Sequence, residues 1–431
     1  MTPAGAGALD VAALPTLTSL GFTGGYSSFR AFCERAFAAD EPRFLRGDRG
    51  DLVVFRHADL RTFGAAPEVG AVPPAVLYPQ RFGPNTDGCP VKPSAVAEVI
   101  ANQVFTANPP VHGPVRRILT TWLAPEPVAR LEDRARTVAR AVLAKLRPGE
   151  PVDAVPALAE AMVVGFWSSL VALTPDEEKA MTASVREMTR LFHVTRTAED
   201  TEVLNAAFGS YRTLLEAAAA RGLARGDAPF VDLTEALAAI DVADDVTEAG
   251  IVPKTVGAFL AGNLVEAFHT AAIACANTLN VLLERPDAMA AVRADPKLLH
   301  QAVPEALRLA PPVLLLQRHV LRDFHCDGFV VPKGTRVSMF WAAGDHDPKA
   351  FPDPRRFDLA RRLQGLTTFG GGAHLCPGRY AAPMLTRVLL EEMFRARIEL
   401  VPAGEARWLD AHLMSQLETL PVRCELPGAQ E

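Results

Sequence analysis

The residues that most clearly suggest chemistry, by type and by spacing, lie in one stretch, residues 367–382, with the sequence TTFGGGAHLCPGRYAA. It holds a single cysteine, Cys376, among glycines, prolines and one histidine, and a helical pattern follows. Glycines at positions 370, 371, 372 and 378 let the backbone approach a flat ligand without Cβ collisions. A thiol at a helix N-terminus is expected to have a lowered pKa, which favours the metal-binding thiolate. The stretch predicts one thiolate offered to a metal, and the alternative is a buried structural cysteine beside a glycine-rich turn.

The spacing within this stretch resembles the cysteine-ligand loop of the cytochrome P450 family, through Phe369, Gly372, His374, Cys376 and Gly378. The resemblance implies that Cys376 is the proximal ligand of haem b iron and that Phe369, Gly370 and Gly378 lie against the haem. It also implies the family fold, a single mainly α domain with small β-sheets and a long central helix over the haem.

Composition sets limits that agree with this resemblance. The 431 residues are 49% hydrophobic and 22% charged, enough for a large core. Length alone suggests two or three domains, whereas the resemblance predicts an N-terminal arm at 1–28 and one haem domain at 29–431. The net charge of −6 and the lack of long basic runs argue against a nucleic-acid partner. The N-terminal sequence has neither a signal-peptide pattern nor an apolar run of about 20 residues, so we predict a cytoplasmic protein with no membrane partner.

Cysteine usage agrees with a reducing compartment. The six cysteines are widely scattered and form no CxxC pair, so neither a disulfide framework nor a zinc site is expected.

A second group of residues carries donors for an anion. His112 and Arg116 are four residues apart in a helical pattern and therefore share one helix face. Such a pair is common on solvated helix faces. The resemblance assigns it, together with Arg318 and His374, to the two haem propionates.

A long proline-free segment, residues 254–284, lies between Pro253 and Pro286 and predicts a helix about 45 Å long. At about 100° per residue, one narrow face of this helix collects polar as well as apolar side chains. Its members are Phe259, Gly262, Asn263, Glu266, His269, Thr270, Ile273 and Asn277. That face is too polar for an inert core helix.

The resemblance places this helix across the haem from Cys376. Thr270 stands at the position of a threonine that orients oxygen or a water, and Ala267 is expected against the haem. His269 occupies a position that is usually acidic, and Glu266 one that is usually small. With an unperturbed pKa of about 6.5, His269 could supply protons in place of a carboxylic acid, and Glu266 is the alternative donor. A third reading is that Glu266 and His269 only pair with each other in a polar groove.

Further positions follow from the order of elements. Glu305 and Arg308 form an ExxR element, which in the family joins a buried ion-pair network that supports the cysteine loop. Residues expected to line the substrate pocket are Val76, Leu77, Phe192, Gly262, Asn263, Val265, Val313, Leu314, Leu413 and Met414. For the apolar members ordinary core packing is a competing explanation, most plainly around Phe192.

The remaining pattern predicts several helices and a few strands. Helices are expected at 28–39, 125–146, 152–171, within 174–222 and at 382–395, and a strand followed by a helix at 51–63. Residues 64–110 read as a long functional loop. Strands at 329–331 and 336–339 flank Pro332, Lys333 and Gly334, which indicates a hairpin, and further strands are expected at 398–401 and 422–426.

These inferences together predict a haem-thiolate monooxygenase that uses dioxygen to oxidise an apolar small molecule, plausibly in bacterial specialised metabolism. No flavin or iron–sulfur segment is evident, so electrons are expected from a ferredoxin and its reductase. Two alternatives stay open. One is a peroxide-using or non-hydroxylating haem-thiolate enzyme, such as a rearrangement or aromatic coupling catalyst, and the other is a non-catalytic haem-binding protein.

Overall fold

The computed structural model describes residues 7–38, 42–82 and 94–425, and helices dominate it. The α-helices are α1 Gly25–Ala36, α2 His57–Ala65, α3 Pro74–Leu77, α4 Pro79–Phe82, α5 Ala95–Ala101, α6 His112–Leu123, α7 Pro125–Arg130, α8 Glu132–Leu143, α9 Ala161–Leu170, α10 Pro175–Met188, α11 Ala198–Arg225, α12 Ala228–Ala238, α13 Val256–Leu283, α14 Pro286–Ala294, α15 Leu299–Leu309, α16 Trp341–Gly344 and α17 Ala381–Arg395. The strands are β1 Gly7–Ala8, β2 Phe44–Arg46, β3 Leu52–Val54, β4 Val69–Gly70, β5 Pro151–Asp153, β6 Leu316–Val320, β7 Phe324–Cys326, β8 Phe329–Val331, β9 Arg336–Met339, β10 Glu399–Pro402, β11 Arg407–Trp408, β12 Leu417–Thr419 and β13 Pro421–Glu425. This is the mainly α fold with small sheets that the sequence predicts.

The long helix α13 is the central element. It begins where the Thr255 side chain accepts a hydrogen bond from the Ala258 amide, and it ends shortly before Pro286 opens α14. Helices α9, α11, α15 and α17 pack around it. Within the described ranges it is the single helix long and apolar enough to cross a membrane, and 67% of its most apolar window is buried inside the fold. Its burial is that of a core helix.

Four small sheets lie beside the helices. The largest has the strand order β2-β3-β9-β6-β4, in which β3 and β9 run parallel. The others have the orders β1-β8-β7, β10-β13-β5 and β11-β12. β9 is thus in the largest sheet, and it continues into α16 and then towards the cysteine loop.

The predicted hairpin of β8 with β9 is wrong. β8 pairs with β7, whereas β9 pairs with β6 and β3 in a different sheet. The turn that closes the real hairpin is Asp327-Gly328, where both residues have positive φ, 43° and 87°. An Asp-Gly pair with these angles matches the right-handed twist of two antiparallel strands, so it is the stronger hairpin signal.

The predicted loop at 64–110 contains regular structure. Ser94 caps α5, since its side chain accepts a hydrogen bond from the Ala97 amide at 3.2 Å. Residues 83–93 of this loop lie outside the described ranges, as do Ala39 of the first predicted helix and Leu426 of the last predicted strand.

The connection between α10 and α11, residues 189–197, is hydrogen-bonded to a tip segment formed by residues 411–414. The Leu413 amide donates to the Phe192 carbonyl at 2.8 Å, and the Val194 amide donates to the Ala411 carbonyl at 2.7 Å. The His412 ring accepts from the Met414 amide at Nδ1 and therefore donates from Nε2 to the Thr189 carbonyl, at 3.1 Å. Backbone and side-chain bonds thus hold the two segments together.

Candidate active site

The cysteine loop is a tight, hydrogen-bonded turn. The Gly370 amide donates to the Thr367 carbonyl at 2.8 Å, and the Cys376 amide donates to the Phe369 carbonyl at 2.9 Å. Gly372 has a φ of +64°, and a Cβ atom there would lie 1.6 Å from the Gly64 carbonyl oxygen. Only glycine fits such a close approach of the loop to α2.

Cys376 is a free, half-buried thiol. The expected lowering of its pKa is not found, because burial raises the pKa more than the Gly378 amide and Arg116 lower it. The structural reason is that Cys376 precedes a single 3₁₀ turn, Pro377–Arg379, and α17 begins only at Ala381. The helix dipole acts mainly within the first turn, so it contributes little here. A coordinated metal cation would itself stabilise the thiolate.

Four nitrogen-bearing side chains converge beside this loop, and they are the four that the resemblance assigns to the propionates: His112, Arg116, Arg318 and His374. The rings of His112 and His374 have centroids 4.3 Å apart, and Arg116 donates to the Leu375 carbonyl. Arg318 is only 5% exposed and lies over the Phe105 ring. No carboxylate within the described ranges forms an ion pair with any of the four.

Burial without acidic partners depresses the basicity of this group. The pKa of His374 falls to about 2 and that of His112 to about 4, in each case mainly through burial. Burial also lowers the pKa of Arg318, to about 10, and that of Arg116. Buried cations and donors are costly unless an anion pairs with them.

The donor set fits the two propionates of a haem. His112 Nε2 is buried and has no hydrogen-bond partner among the described residues, so it is available to an acceptor. Two carboxylates would match two arginines and two imidazoles in charge and in hydrogen-bonding capacity. The thiol beside these donors supplies the remaining feature that a haem-thiolate site requires.

The middle of α13 carries several half-buried side chains. Asn263, Glu266, Ala267 and Thr270 are half-buried on a helix that is otherwise largely buried. Burial is the main cause that raises the pKa of Cys376, and the charge of Glu266 adds to it. The position of α13 across the haem from Cys376 stays a prediction.

Gly262 and Asn263, predicted to line the pocket, instead dock the segment 102–104 onto α13. The Asn263 side chain accepts from the Val104 amide at 3.0 Å and donates to the Asn102 carbonyl at 3.3 Å. A Cβ atom at Gly262 would lie 2.4 Å from the Asn102 carbonyl oxygen. Both residues are therefore engaged by the protein itself.

This docking brings Gln103 to Glu266, a contact that the sequence did not reveal. Gln103 Nε2 lies 3.5 Å from a Glu266 carboxylate oxygen. Burial raises the pKa of Glu266, and the Gln103 hydrogen bond only partly offsets this. The Thr270 hydroxyl donates to the Glu266 carbonyl at 2.6 Å, so Glu266 and Thr270 are adjacent on the helix.

His269 differs from its expected role. Its ring stacks on Phe192 with an interplanar angle of 2°, and its Nε2 is buried without a partner among the described residues. Burial lowers the pKa of His269 to about 3, so the ring is neutral near pH 7. No ion pair joins it to Glu266 in the described structure, which gives no support to the polar-groove reading.

The remaining pocket residues divide by burial. Val265, Leu314 and Met414 are buried in the protein core. Half-buried members are Val76, Leu77, Phe192, Val313 and Leu413. Val313 and Met414 are joined by an isolated β-bridge, so the tip segment reaches the strand that leads to Arg318. The half-buried side chains are the better candidates for ligand contact.

Glu305 and Arg308 form a fully buried ion pair, with 2.8 Å between Arg308 Nε and a Glu305 oxygen. Arg361, which the sequence did not reveal, donates to the other Glu305 oxygen at 3.0 Å. Arg308 also donates to the Asp345 carbonyl at 3.0 Å. Asp345 was not predicted either; its position directly after an apolar run was the available signal.

Comparison with known proteins identifies relatives of one family. The family model for cytochrome P450 matches residues 231–406. Linalool 8-monooxygenase of Pseudomonas putida is 29% identical over 293 residues, 67% of this chain and 69% of that protein. The 6-deoxyerythronolide B hydroxylase of Saccharopolyspora erythraea is 25% identical over 354 residues, 77% of this chain and 80% of that protein.

Solved structures agree. The ligand-free structure of cytochrome P450 TbtJ1 superposes with a TM-score of 0.73 at 25% identity and covers 95% of this chain and 99% of that one. P450BioI, solved with a fatty-acyl carrier protein, has a TM-score of 0.76 at 16% identity, over 92% and 98% of the two chains. The family match, the similar proteins and the solved structures together indicate a cytochrome P450 of the bacterial type, a haem-thiolate monooxygenase.

Proposed function

We propose that this enzyme uses dioxygen to oxidise an apolar small molecule, with Cys376 as the iron ligand of haem b. The observation that carries the proposal is the donor cluster beside the Cys376 loop, which lacks any acidic partner in the described structure. In this assignment His112, Arg116, Arg318 and His374 hold the propionates. Phe369, Gly370, Gly378 and Ala267 would lie against the haem when it is bound.

When bound, the haem supplies the oxidising chemistry, and the protein supplies binding, orientation and protons. Thr270 presents a hydroxyl on the α13 face that looks towards Cys376, where it orients a small polar molecule. Glu266 has a raised pKa, so it holds a proton to higher pH than an ordinary glutamate and can release it beside Thr270. His269 is assigned a packing role against Phe192.

The substrate assignment rests on the pocket composition. The half-buried pocket candidates are mainly apolar, and Glu266 with Gln103 adds one polar position. We therefore infer a substrate with an apolar body and at least one polar or basic group, of the kind made in bacterial specialised metabolism. The names of the two relatives, a linalool monooxygenase and a 6-deoxyerythronolide B hydroxylase, support this class.

Electrons are proposed to come from a ferredoxin and its reductase in the cytoplasm. Arg117 is exposed and Arg379 half-buried near the Cys376 loop, and both could receive an acidic carrier. Arg379 already donates to the Cys376 carbonyl at 3.0 Å, so its charge lies close to the ligand residue. Turnover with a ferredoxin should weaken as salt increases, since exposed charges are screened.

The proposed function is tested with the haem-loaded enzyme and a panel of apolar compounds. Ligands are found by the shift of the ferric haem absorption band and then incubated with oxygen, ferredoxin, reductase and reduced nicotinamide. We expect oxygenated product that requires all components. Equal product from peroxide alone would support the peroxide-using alternative, and failure to consume oxygen with any reductant would support the non-catalytic one.

Replacing Thr270 with alanine should uncouple electron use from product. The hydroxyl that orients the oxygen or a water is lost, so we expect product per reductant consumed to fall several-fold and peroxide to rise. Thr270→Ser keeps the hydroxyl and should stay close to the parent enzyme. Product and peroxide are measured against nicotinamide oxidised. Normal coupling in Thr270→Ala would remove Thr270 from the mechanism.

A further inference from the structure

Asp345 is a fully buried carboxylate at the start of the chain segment that leads from α16 to the cysteine loop, with 0% of its surface exposed. One oxygen accepts from the Thr367 amide at 2.6 Å and from the Thr367 hydroxyl at 3.0 Å. The other oxygen accepts from the Thr368 hydroxyl at 2.5 Å. Within the described ranges, the hydrogen bonds of this carboxylate all come from the first two residues of the cysteine loop, Thr367 and Thr368.

The backbone of Asp345 is also held in place by hydrogen bonding. Its carbonyl accepts a hydrogen bond from Arg308, which is locked in the buried pair with Glu305. The Thr367 hydroxyl shares its single proton between the Asp345 oxygen and the Trp341 carbonyl, which is the nearer acceptor at 2.7 Å, so Thr367 contacts both ends of α16. The Glu305–Arg308 pair therefore reaches the cysteine loop through Asp345.

Two further hydrogen bonds carry this connection to the sulfur-bearing residue. The Thr367 carbonyl accepts from the Gly370 amide, and the Phe369 carbonyl accepts from the Cys376 amide. The Thr367 carbonyl thus fixes the start of the turn. The Phe369 carbonyl, two residues later, fixes the amide of Cys376. A shift at residues 367–368 must be transmitted to Cys376 or must break one of these bonds.

A buried carboxylate without an ion pair is costly, so its presence calls for a specific compensation. No lysine, arginine or histidine of the described residues lies within ion-pairing distance of the Asp345 oxygens. The Thr367 amide and the Thr368 hydroxyl compensate it instead, and the Thr367 hydroxyl proton is shared between Asp345 and the Trp341 carbonyl. Burial raises the pKa of Asp345 and these hydrogen bonds oppose the rise, so the charge of Asp345 and the conformation of the loop entrance depend on each other.

We propose that Asp345 is a positioning residue for the cysteine loop: it fixes residues 367 and 368 and thereby the direction in which Cys376 presents its sulfur to the haem iron. This rests on the proposed role of Cys376 as the iron ligand. Asp345 does not touch the haem or the substrate in this assignment.

The test compares Asp345→Ala with Asp345→Asn in the haem-loaded enzyme. Alanine removes every acceptor, whereas asparagine keeps one oxygen for the Thr367 amide. The readout is the carbon monoxide complex of the reduced enzyme, whose absorption band distinguishes thiolate-ligated from other haem. We expect the ratio of other to thiolate-ligated haem to rise about tenfold in Asp345→Ala and to stay near the parent value in Asp345→Asn.

Asp51→Ala is the matched control. Asp51 is another buried carboxylate, 6% exposed, which accepts from the hydroxyl of Ser338 in the largest sheet, and in the described part of the chain its side chain has no hydrogen bond to the cysteine loop. We expect it to lower the unfolding midpoint without changing the ligation ratio. An unchanged ratio in Asp345→Ala, or an equal change in Asp51→Ala, would overturn the proposal.

If Asp345→Ala does not fold, Thr368→Val decides, because it removes one hydroxyl bond to Asp345 and keeps the carboxylate. We expect a smaller change of the ratio in the same direction, and no change would reject the proposal. A parent enzyme that shows no thiolate-ligated band at all would instead refute Cys376 as the ligand, so the two failures are distinguishable.

Discussion

Glu266 and His269 are three residues apart on α13, yet burial shifts their pKa values in opposite directions. Burial disfavours the charged form of each, so it raises the pKa of the carboxyl and lowers that of the imidazole to about 3. Near pH 7 the histidine therefore has no proton to give as an acid, whereas the carboxyl keeps one more readily than an ordinary glutamate. For this reason we propose Glu266, and not His269, as the proton carrier.

Replacing Glu266 with glutamine should lower turnover about tenfold to a hundredfold, because the positioned acid is lost while the shape remains. His269→Phe keeps the ring against Phe192 and should change turnover by less than about threefold. Turnover is measured at saturating substrate and reductant, with ferric substrate binding as the control for an intact pocket. A large loss in His269→Phe together with normal turnover in Glu266→Gln would reverse the assignment.

The pH dependence of the parent enzyme follows from the same group. The donor form of Glu266 is the protonated one, and the pKa of this carboxyl is raised. Turnover limited by this proton should therefore fall as pH rises through the raised pKa, and Glu266→Gln should lack that limb of the profile.

At the scale of elements, the site depends on how closely the segment 102–104 approaches α13. Gly262 provides the space and Asn263 the hydrogen bonds, and together they carry Gln103 to Glu266. One contact between two chain segments therefore positions Gln103 against Glu266, the residue that we propose as the proton carrier.

Gly262→Ala should separate these segments. The added Cβ would meet backbone atoms of Asn102 at 2.4 and 2.6 Å, so one segment must move, and we expect a loss of about 1–3 kcal/mol in the free energy of unfolding. Gly209→Ala is the control, since that helical glycine has only Ala95 Cβ nearby, at 3.9 Å. Alanine there should be neutral or stabilising by up to about 1 kcal/mol. Chemical denaturation measures both, and equal stability of the two variants would contradict the contact.

Some elements could be read from sequence because their signals are local. α13 was predicted almost to its ends, since a proline-free stretch and two flanking prolines define it. The cysteine loop was recognised because its residues are contiguous. The predicted β8–β9 hairpin is wrong because the turn at Pro332, Lys333 and Gly334 does not close a hairpin, whereas Asp327-Gly328, with positive φ at both residues, fits the twist of β7 and β8.

Contacts between distant segments escaped sequence reasoning. Gln103 meets Glu266 across 163 positions, and Asp345 meets Thr367 across 22. No sequence pattern at either residue of a pair indicates its contact with the other. The pKa shifts of Cys376 and His269 could not be predicted from sequence for a similar reason. Both shifts are caused by burial, and the surroundings that bury these residues are assembled from several helices.

At the scale of the whole molecule, several histidines are buried in the neutral form. His346 is one that lies away from the donor cluster, with its Nδ1 3.1 Å from the Ala342 carbonyl and its ring edge-on to Phe29. Burial is the main cause that lowers its pKa to about 3, and the charge of Arg308 adds to it. Folding therefore keeps a proton off this ring.

This predicts acid sensitivity with a definite sign. The folded pKa of about 3 lies below the unfolded value of about 6.5, so stability is fully present above pH 6.5 and is lost as pH falls towards 3. The slope is about 1.4 kcal/mol per pH unit for each such histidine. Denaturant unfolding between pH 7 and 5 should show His346→Gln with a shallower decline than the parent. An identical decline would mean that His346 does not carry the effect.

The tip segment, residues 411–414, couples the α10–α11 connection to another part of the chain. Residues 189–197 are bound to residues 411–414 by backbone and imidazole hydrogen bonds, and Phe192 in this connection stacks on His269. Ser415, directly after the tip segment, is bonded to the chain that leads into β6, since its amide donates to the Pro312 carbonyl at 2.9 Å. Movement of the α10–α11 connection away from α13 must either sever these bonds or draw the tip along. A substitution in residues 411–414 is therefore expected to loosen the α10–α11 connection as well, although the two segments are more than 200 positions apart in the chain.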